Sequence, residues 1–394
     1  MYKWIVTILV CLTWTMASTS CAQQDQEAMA ELTKMLSEPV ENEEVIGHEA
    51  LIYHQGQIVF RERYGLADRD KKTPLTKDTI FRIYSMSKPI TSVAAMQLVE
   101  SGKLKLDDPV HKHLPEFAEL TVLDGDAEVE PTRPMTVRDL MRHTSGLTYG
   151  FFGDTPVDKQ YKQNQIMILD RNLEHTVTKL GKIPLLHQPG QRFHYSISTD
   201  VLGRLIEVVS GKRLGEYLQA NVFEPLGMKD TSFYLPAEKK KRMPQMYDSQ
   251  KKGMPLANPM LSYRYLNKTD YESGGAGLCS TIEDFLQFSK MLLNRGTLNE
   301  KTVLSPASVK QMFTNQLGDV KESSDSFRFG LGFRCYDEGD YGWGGFAGTR
   351  FWIHPEKQTV VIYMTQIHPY RNRAWAHELR RTAYRAIDKL TVSE

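Results

Sequence analysis

Ser85-Met86-Ser87-Lys88 sets a hydroxyl and an amine three residues apart, the spacing that brings two side chains to one face of a helix. An alcohol is a poor nucleophile at neutral pH and needs a base beside it, which Lys88 is placed to be. Residues 89–99 read as the helix that carries both. Proline is tolerated in a first turn, Ile90, Ala94 and Leu98 recur at i+4, and the stretch is apolar nearly all round, as in a buried helix. A serine at the start of such a helix also has backbone N–H groups directed toward it. The chemistry this spacing would allow is nucleophilic attack by a serine hydroxyl; a chain of this size contains a few such pairs by chance, and a serine at a helix start followed by a surface lysine is the alternative. The chain contains no G-x-S-x-G, so the nucleophile elbow of the α/β-hydrolases is not a competitor.

The elements that must hold this pair are legible on both sides of it. His48 to His54 and Gln57 to Tyr64 are strand-like runs joined by Gln55-Gly56, a hairpin pattern. Arg350 to His354 and Thr359 to Thr365 form a second such pair around a Pro-Glu-Lys turn, followed by a charged amphipathic segment from Ala374 to Leu390. Residues 25–45 are acidic and helix-prone. The middle of the chain is helical: Thr136-Val137-Arg138-Asp139 reads as a capping box, Asp200 to Val209 and Leu214 to Val222 are broken by Ser210-Gly211, and Thr281 caps a helix through Asp284. Strands at both ends with helices between them predict one sheet assembled from the two termini, with a mainly helical domain folded out of its middle. Ligand sites favour such interfaces.

The 394 residues are 41% hydrophobic, 10% aromatic and 25% charged, enough to bury a large core. With 49 basic against 48 acidic side chains, the formal charge of +1 points to neither nucleic acid nor an anionic membrane surface as partner. The basic run Lys239-Lys240-Lys241-Arg242 reads as a solvated loop, and His111-Lys112-His113 as surface polarity. There is no H-E-x-x-H and no glycine-rich nucleotide loop, so neither metal nor cofactor is expected.

Residues 1–22 read as a secretory signal peptide: Lys3, an apolar run from Trp4 to Met16, then Ala17-Ser18-Thr19-Ser20 before Cys21-Ala22. The small residues resemble a bacterial lipobox, which would lipidate Cys21, although Ser18 stands where leucine is usual. Cleavage after Ala22 is the alternative ending. The expected address is the periplasm, with Cys21 the only link to a membrane. Cys279 and Cys335 then remain for the mature fold, and their spacing leaves a disulfide open.

Phe81-Arg82-Ile83-Tyr84-Ser85-Met86-Ser87-Lys88-Pro89-Ile90, continuing to Leu104-Lys105-Leu106-Asp107-Asp108-Pro109, resembles the serine β-lactamase, D-Ala-D-Ala peptidase and family VIII carboxylesterase group. The likeness extends to Thr136–Leu147, Pro189–Gly227, Ser273–Phe288 and Gly330-Leu331-Gly332, covering roughly residues 45–365. It implies an α+β fold of β-lactamase/transpeptidase type, with a sheet subdomain over 45–100 and 275–394 and a helical subdomain over 101–274.

The resemblance also implies roles. Tyr195, in Phe193-His194-Tyr195-Ser196, matches the group's proton-carrying tyrosine. A phenol of ordinary pKa is a poor base at neutral pH, and a neighbouring Lys88 ammonium would favour the phenolate. Ile197 replaces the asparagine of Y-x-N, whereas Tyr265-Leu266-Asn267 fits Y-x-N literally but has unmatched flanks and reads as a loop. K-T-G is absent, and Gly342-Trp343-Gly344-Gly345-Phe346 resembles the W-G-G form of the carboxylesterases. The backbone N–H groups of Ser85 and Phe346 would then form the oxyanion hole. Tyr84, Tyr149, Phe151, Phe152, Trp343, Gly344 and Gly345 are the expected lining of the substrate site. With Trp343 where K-T-G has its lysine, the site suits a neutral apolar group. The implied function is a carboxylesterase for short acyl esters. A β-lactamase or D-Ala-D-Ala peptidase is the alternative, and a catalytically idle recognition module is disfavoured by Ser85, Lys88 and Tyr195 occurring together.

Overall fold

The computed structural model describes residues 29–166, 171–318, 320, 327–370 and 372–391; the leader, with Cys11, Cys21 and both expected processing points, lies outside them. In chain order, the elements that matter for the site are a helix over 29–41 (α1), strands Gly47–His54 (β1) and Gln57–Asp68 (β2), and helices Ser87–Glu100 (α2), Val137–Met141 (α3), Ser198–Ser210 (α4) and Ile282–Leu293 (α5). Strands Tyr341–Gly344 (β3), Arg350–His354 (β4) and Thr359–Thr365 (β5) and helix Arg373–Thr391 (α6) complete the set. No helix among the described residues is long and apolar enough to cross a membrane.

The first hairpin forms as its residues dictate. Gln55 and Gly56 both take positive φ, as the tight turn that matches strand twist demands. The β1 strand is buried along its whole length and pairs on its other side with β5, His48 opposite Thr365 through His54 opposite Thr359. The complete sheet is antiparallel and has eight strands, in the order Arg328–Phe329, Arg334–Cys335, β3, β4, β5, β1, β2, Thr73–Pro74. The two ends of the chain therefore meet at its centre.

Strand alternation sorts the side chains onto two covered faces. Ala50, Ile52, Trp352, Val361 and Tyr363 pack with Leu32 and Leu36 of α1 and Leu379 and Ile387 of α6. Leu51, Phe351, Ile353, Val360 and Ile362 belong to the larger core with α2 and with Phe285 and Phe288 of α5. His48 pins α1 to the sheet, one ring nitrogen 2.7 Å from the Leu36 carbonyl and the other 3.0 Å from the Tyr363 hydroxyl. Burial lowers its pKa to about 4.

On the inner face, α2 is buried from Ser87 to Met96, as its all-round apolarity requires, and packs against α4. The box at Thr136 is formed in both directions with Asp139. Gly211 ends α4 in the left-handed region at φ 70°, and Thr281 caps α5 through the Asp284 N–H.

One expectation differs from what the fold contains. Tyr265 lies not in a loop but in a short helix, Met260–Leu266, fully buried with its hydroxyl 2.7 Å from the Ala276 carbonyl. The basic run lies at the surface with Lys240 and Lys241 exposed, while Arg242 pairs with Asp230 at 2.7 Å and Lys239 with the same carboxylate at 2.9 Å. Cys279 and Cys335 are both buried and unpaired, their thiols pushed up to about 11 and about 12 by burial.

Candidate active site

Ser85 occupies the middle of a single 3-10 turn, Tyr84–Met86, that runs into α2. Tyr84 has φ 42°, a conformation that bulky side chains rarely adopt and that surrounding structure must enforce. The enforcement is visible on both sides. The Ile83 N–H is bound to the Leu278 carbonyl at 3.1 Å, and the Tyr84 hydroxyl donates to the Leu261 carbonyl at 2.8 Å. The Tyr84 ring packs between Tyr265 and Phe346, 5.6 and 5.5 Å away. Tyr84 therefore supports the turn from behind, its polar end already used.

Lys88 is buried, and its amine has three oxygens around it: Ser85 Oγ at 3.4 Å, Tyr149 hydroxyl at 2.9 Å and Gly275 carbonyl at 2.7 Å. Three acceptors match the three donors of an ammonium. Tyr149 was expected only as a wall; its direct bond to Lys88 carries no spacing signal in the sequence. Burial, aided by Tyr195 and Asp200 nearby, pushes its pKa well above the usual phenol range.

Tyr195 precedes α4 and is brought to the same place, but not by a hydrogen bond to Lys88. The amine lies over its ring, 4.6 Å from the centroid. Its oxygen instead accepts the Trp343 indole N–H at 3.3 Å. His143, fully buried 4.8 Å from the Tyr195 ring, is held neutral because burial lowers its pKa well below the ordinary value.

Pairing of β3 with β4 ends at Gly344 opposite Arg350, and Gly345 N–H then bonds the Thr349 carbonyl at 2.7 Å. A side chain at Gly345 would meet Thr349 and come within 2.5 Å of the Ile83 carbonyl. Glycine is required there because the strand end lies against the Ser85 turn. The next residue is Phe346. Neither its N–H nor that of Ser85 has a hydrogen-bond acceptor among the described residues. The Phe346 ring is exposed and stacks on His368 at 4.0 Å. Across the opening, Phe151 and Phe152 are also exposed, 5.1 and 5.9 Å from Tyr149, and Phe152 reaches Tyr195 at 6.3 Å.

Ser85, Lys88, Tyr195, Tyr149, Trp343 and the Phe346 backbone thus converge from four separate parts of the chain. Such an arrangement offers a hydroxyl nucleophile, a phenol near a cation, and two unused N–H donors. Two grooves, of about 540 and 570 Å³, lie elsewhere around Lys212 and touch none of these groups. Among the described residues no cluster of His, Cys, Asp or Glu could hold a metal.

The chain is similar to known proteins over most of its length. The Beta-lactamase family model matches residues 32–384. Protein Rv1367c of Mycobacterium tuberculosis is 32% identical over 347 residues, covering 81% of this chain and 85% of its own length. Esterase EstB of Burkholderia gladioli is 32% identical over 274 residues, 66% of this chain and 68% of its own. Among solved structures, EstCE1, described as a hydrolase with promiscuous acyltransferase activity, superposes with a TM-score of 0.79 at 27% identity, covering 91% of this chain and 99% of that one. Simvastatin synthase of Aspergillus terreus has the same fold, with a TM-score of 0.78 at 22% identity over 91% of this chain and 98% of its own.

Proposed function

The chain belongs to the Beta-lactamase family, and from that premise we propose that it is a serine hydrolase that acylates Ser85 and turns over short-chain acyl esters. Tyr195, as general base, takes the Ser85 proton while Oγ attacks the ester carbonyl. The Ser85 and Phe346 N–H groups receive the oxyanion, and losing one such donor typically costs about 100-fold to 1000-fold in rate. Collapse expels the alcohol, which takes the proton back from Tyr195. Water then enters by the same route and gives its proton to Tyr195 as it attacks the acyl carbonyl, and collapse releases the acid while Ser85 Oγ takes that proton back.

Two contacts hold Tyr195 at the site: the Lys88 amine over its ring and the Trp343 N–H on its oxygen.

The observation that carries the ester reading is Trp343 itself. It presents an aromatic face where a lysine would greet a substrate carboxylate, and exposed Phe151, Phe152 and Phe346 surround the opening. A carboxylate desolvated there gains no partner. The names of EstB and EstCE1 lend the same class of activity to this reading. The test is side-by-side turnover of p-nitrophenyl butyrate and a chromogenic cephalosporin. The ester should win by orders of magnitude in kcat/KM. A lost charge-assisted bond of about 1.5–3 kcal/mol accounts for one or two factors of ten, and Ile197 in place of asparagine with the shape of the opening must supply the rest. Equal values would replace the esterase reading with the β-lactamase one.

Residues 1–22 support a second, separate part of the proposal: export to the periplasm, with Cys21 lipidated and anchoring the enzyme.

A further inference from the structure

Phe151 and Phe152 stand side by side at the mouth of the site, 52% and 61% exposed, and Phe152 is the most exposed large hydrophobic side chain among the described residues. The loop that presents them is closed by one carboxylate. Asp158, in the first turn of the helix Pro156–Gln163, is 1% exposed. Its Oδ1 accepts the Thr148 hydroxyl at 2.8 Å, ahead of the two rings, and its Oδ2 accepts the Thr155 N–H at 3.1 Å and hydroxyl at 2.7 Å, behind them. The Lys162 amine binds the Gly153 carbonyl at 3.1 Å, and the Gly150 N–H binds the Thr148 oxygen at 3.1 Å. A Cβ at Gly150, where φ is 78°, would lie 2.6 Å from that of Tyr161, and one at Gly153 would meet the Asp158 carboxylate. The loop is thus folded tightly against its own helix, yet its two largest apolar side chains stay uncovered.

The rings also continue inward. Phe151 lies 4.4 Å from Phe152 and stacks on Tyr149 at 5.1 Å, while Phe152 meets Tyr149 edge-on at 5.9 Å and Tyr195 at 6.3 Å. Tyr195 in turn lies 5.4 Å from Trp343. Tyr149 and Tyr195 both flank the Lys88 amine that meets Ser85 Oγ. One end of this series is therefore at the reacting serine, and the other ends in two rings with open faces. A further aromatic ring laid there would extend the series by offset or edge-on contacts, which a saturated ring of the same bulk cannot make. Because the loop is already held, its ordering adds little to what binding costs.

We propose that Phe151 and Phe152 form a preformed aryl subsite, and that the preferred substrates are esters carrying a phenyl ring within its reach. The inference deepens the ester-hydrolase reading above and rests on it. A short acyl group on a phenylalkyl alcohol meets this description, and so does a phenyl-bearing acyl group on a short alcohol. In both, the ring supplies binding that the loop offers to aromatic groups over aliphatic ones.

The experiment compares kcat/KM within two matched pairs: ethyl 3-phenylpropanoate against ethyl 3-cyclohexylpropanoate, and 2-phenylethyl acetate against 2-cyclohexylethyl acetate. Two methylenes keep each ring away from the reacting ester, so intrinsic reactivity is alike within a pair. Wild type should favour the phenyl member of at least one pair by about 10-fold, the size of one good ring–ring contact. The pair that shows the preference tells which half of the ester enters the subsite. The double variant Phe151→Leu/Phe152→Leu keeps apolar bulk and loses the rings, and its ratio in that pair should fall to within about 2-fold of unity. Equal values within both pairs for wild type, or a phenyl preference that persists in the double variant, would overturn the proposal. Turnover of p-nitrophenyl butyrate without any phenyl preference refutes the subsite alone. If wild type turns over none of these esters, the hydrolase reading itself falls and this inference with it.

Discussion

Lys88 touches Ser85 Oγ and the Tyr149 hydroxyl, while Tyr195, the proton carrier of the proposed reaction, meets it through the ring face. Removing either Lys88 or the Tyr195 hydroxyl removes one part of a single device. Lys88→Ala and Tyr195→Phe should each cut ester turnover by about 100-fold to 10,000-fold, the range of lost acid–base help. The double variant should lose far less than the product of the two. Multiplicative losses in kcat would show that one of them stands outside the site. Tyr265→Phe, whose hydroxyl only serves the Ala276 carbonyl, should leave kcat within a few-fold and cost about 1 kcal/mol of stability. At this scale the sequence spoke through spacing: an i, i+3 pair announces itself, and Tyr195 was found through its flanks. Tyr149 and Asp158 gave no such sign. A tyrosine in a glycine-flanked loop and an acid in a helix's first turn each have an ordinary structural explanation. Only the bonds of Tyr149 to Lys88 and of Asp158 to Thr148 and Thr155 show what they hold. The left-handed backbone at Tyr84 was equally silent, because nothing in its type asks for positive φ.

Among elements, strands and caps were legible because their rules are local: period-two alternation gave both strand pairs, and the box at Thr136 and the single cap at Thr281 formed as their residues require. The attachment of α1 was not, since it depends on His48 meeting Leu36 and Tyr363 across the fold. That attachment is sensitive to acid. His48 has a folded pKa of about 4 against 6.5 in the open chain, so unfolded molecules bind the extra proton as pH falls below 6.5. Its cost is absent above pH 6.5, grows through the window down to pH 4, and reaches about 3 kcal/mol there. Urea unfolding at pH 7, 5.5 and 4.5 should show wild type losing more stability than His48→Gln across that window. Parallel losses in the two proteins would show that acid acts elsewhere.

For the molecule as a whole, the meeting of the two terminal segments at the sheet centre was expected from strands at both ends, and the order of the eight strands follows from it. The proposed export rests on residues 1–22, which lie outside the described residues. Cells given a clickable palmitate analogue should label the wild-type protein and not Cys21→Ser. Labelling that persists in Cys21→Ser, or a mature N-terminus at Gln23, would establish ordinary cleavage instead.

The pairing of β1 with β5 also sets a clock on synthesis. His48 is made long before its partner Thr365. The platform beneath Ser85 cannot close until Thr365 is free to pair, and sheets built from such distant contacts assemble slowly. Translation of the Ser85 segment alone therefore leaves its support unbuilt.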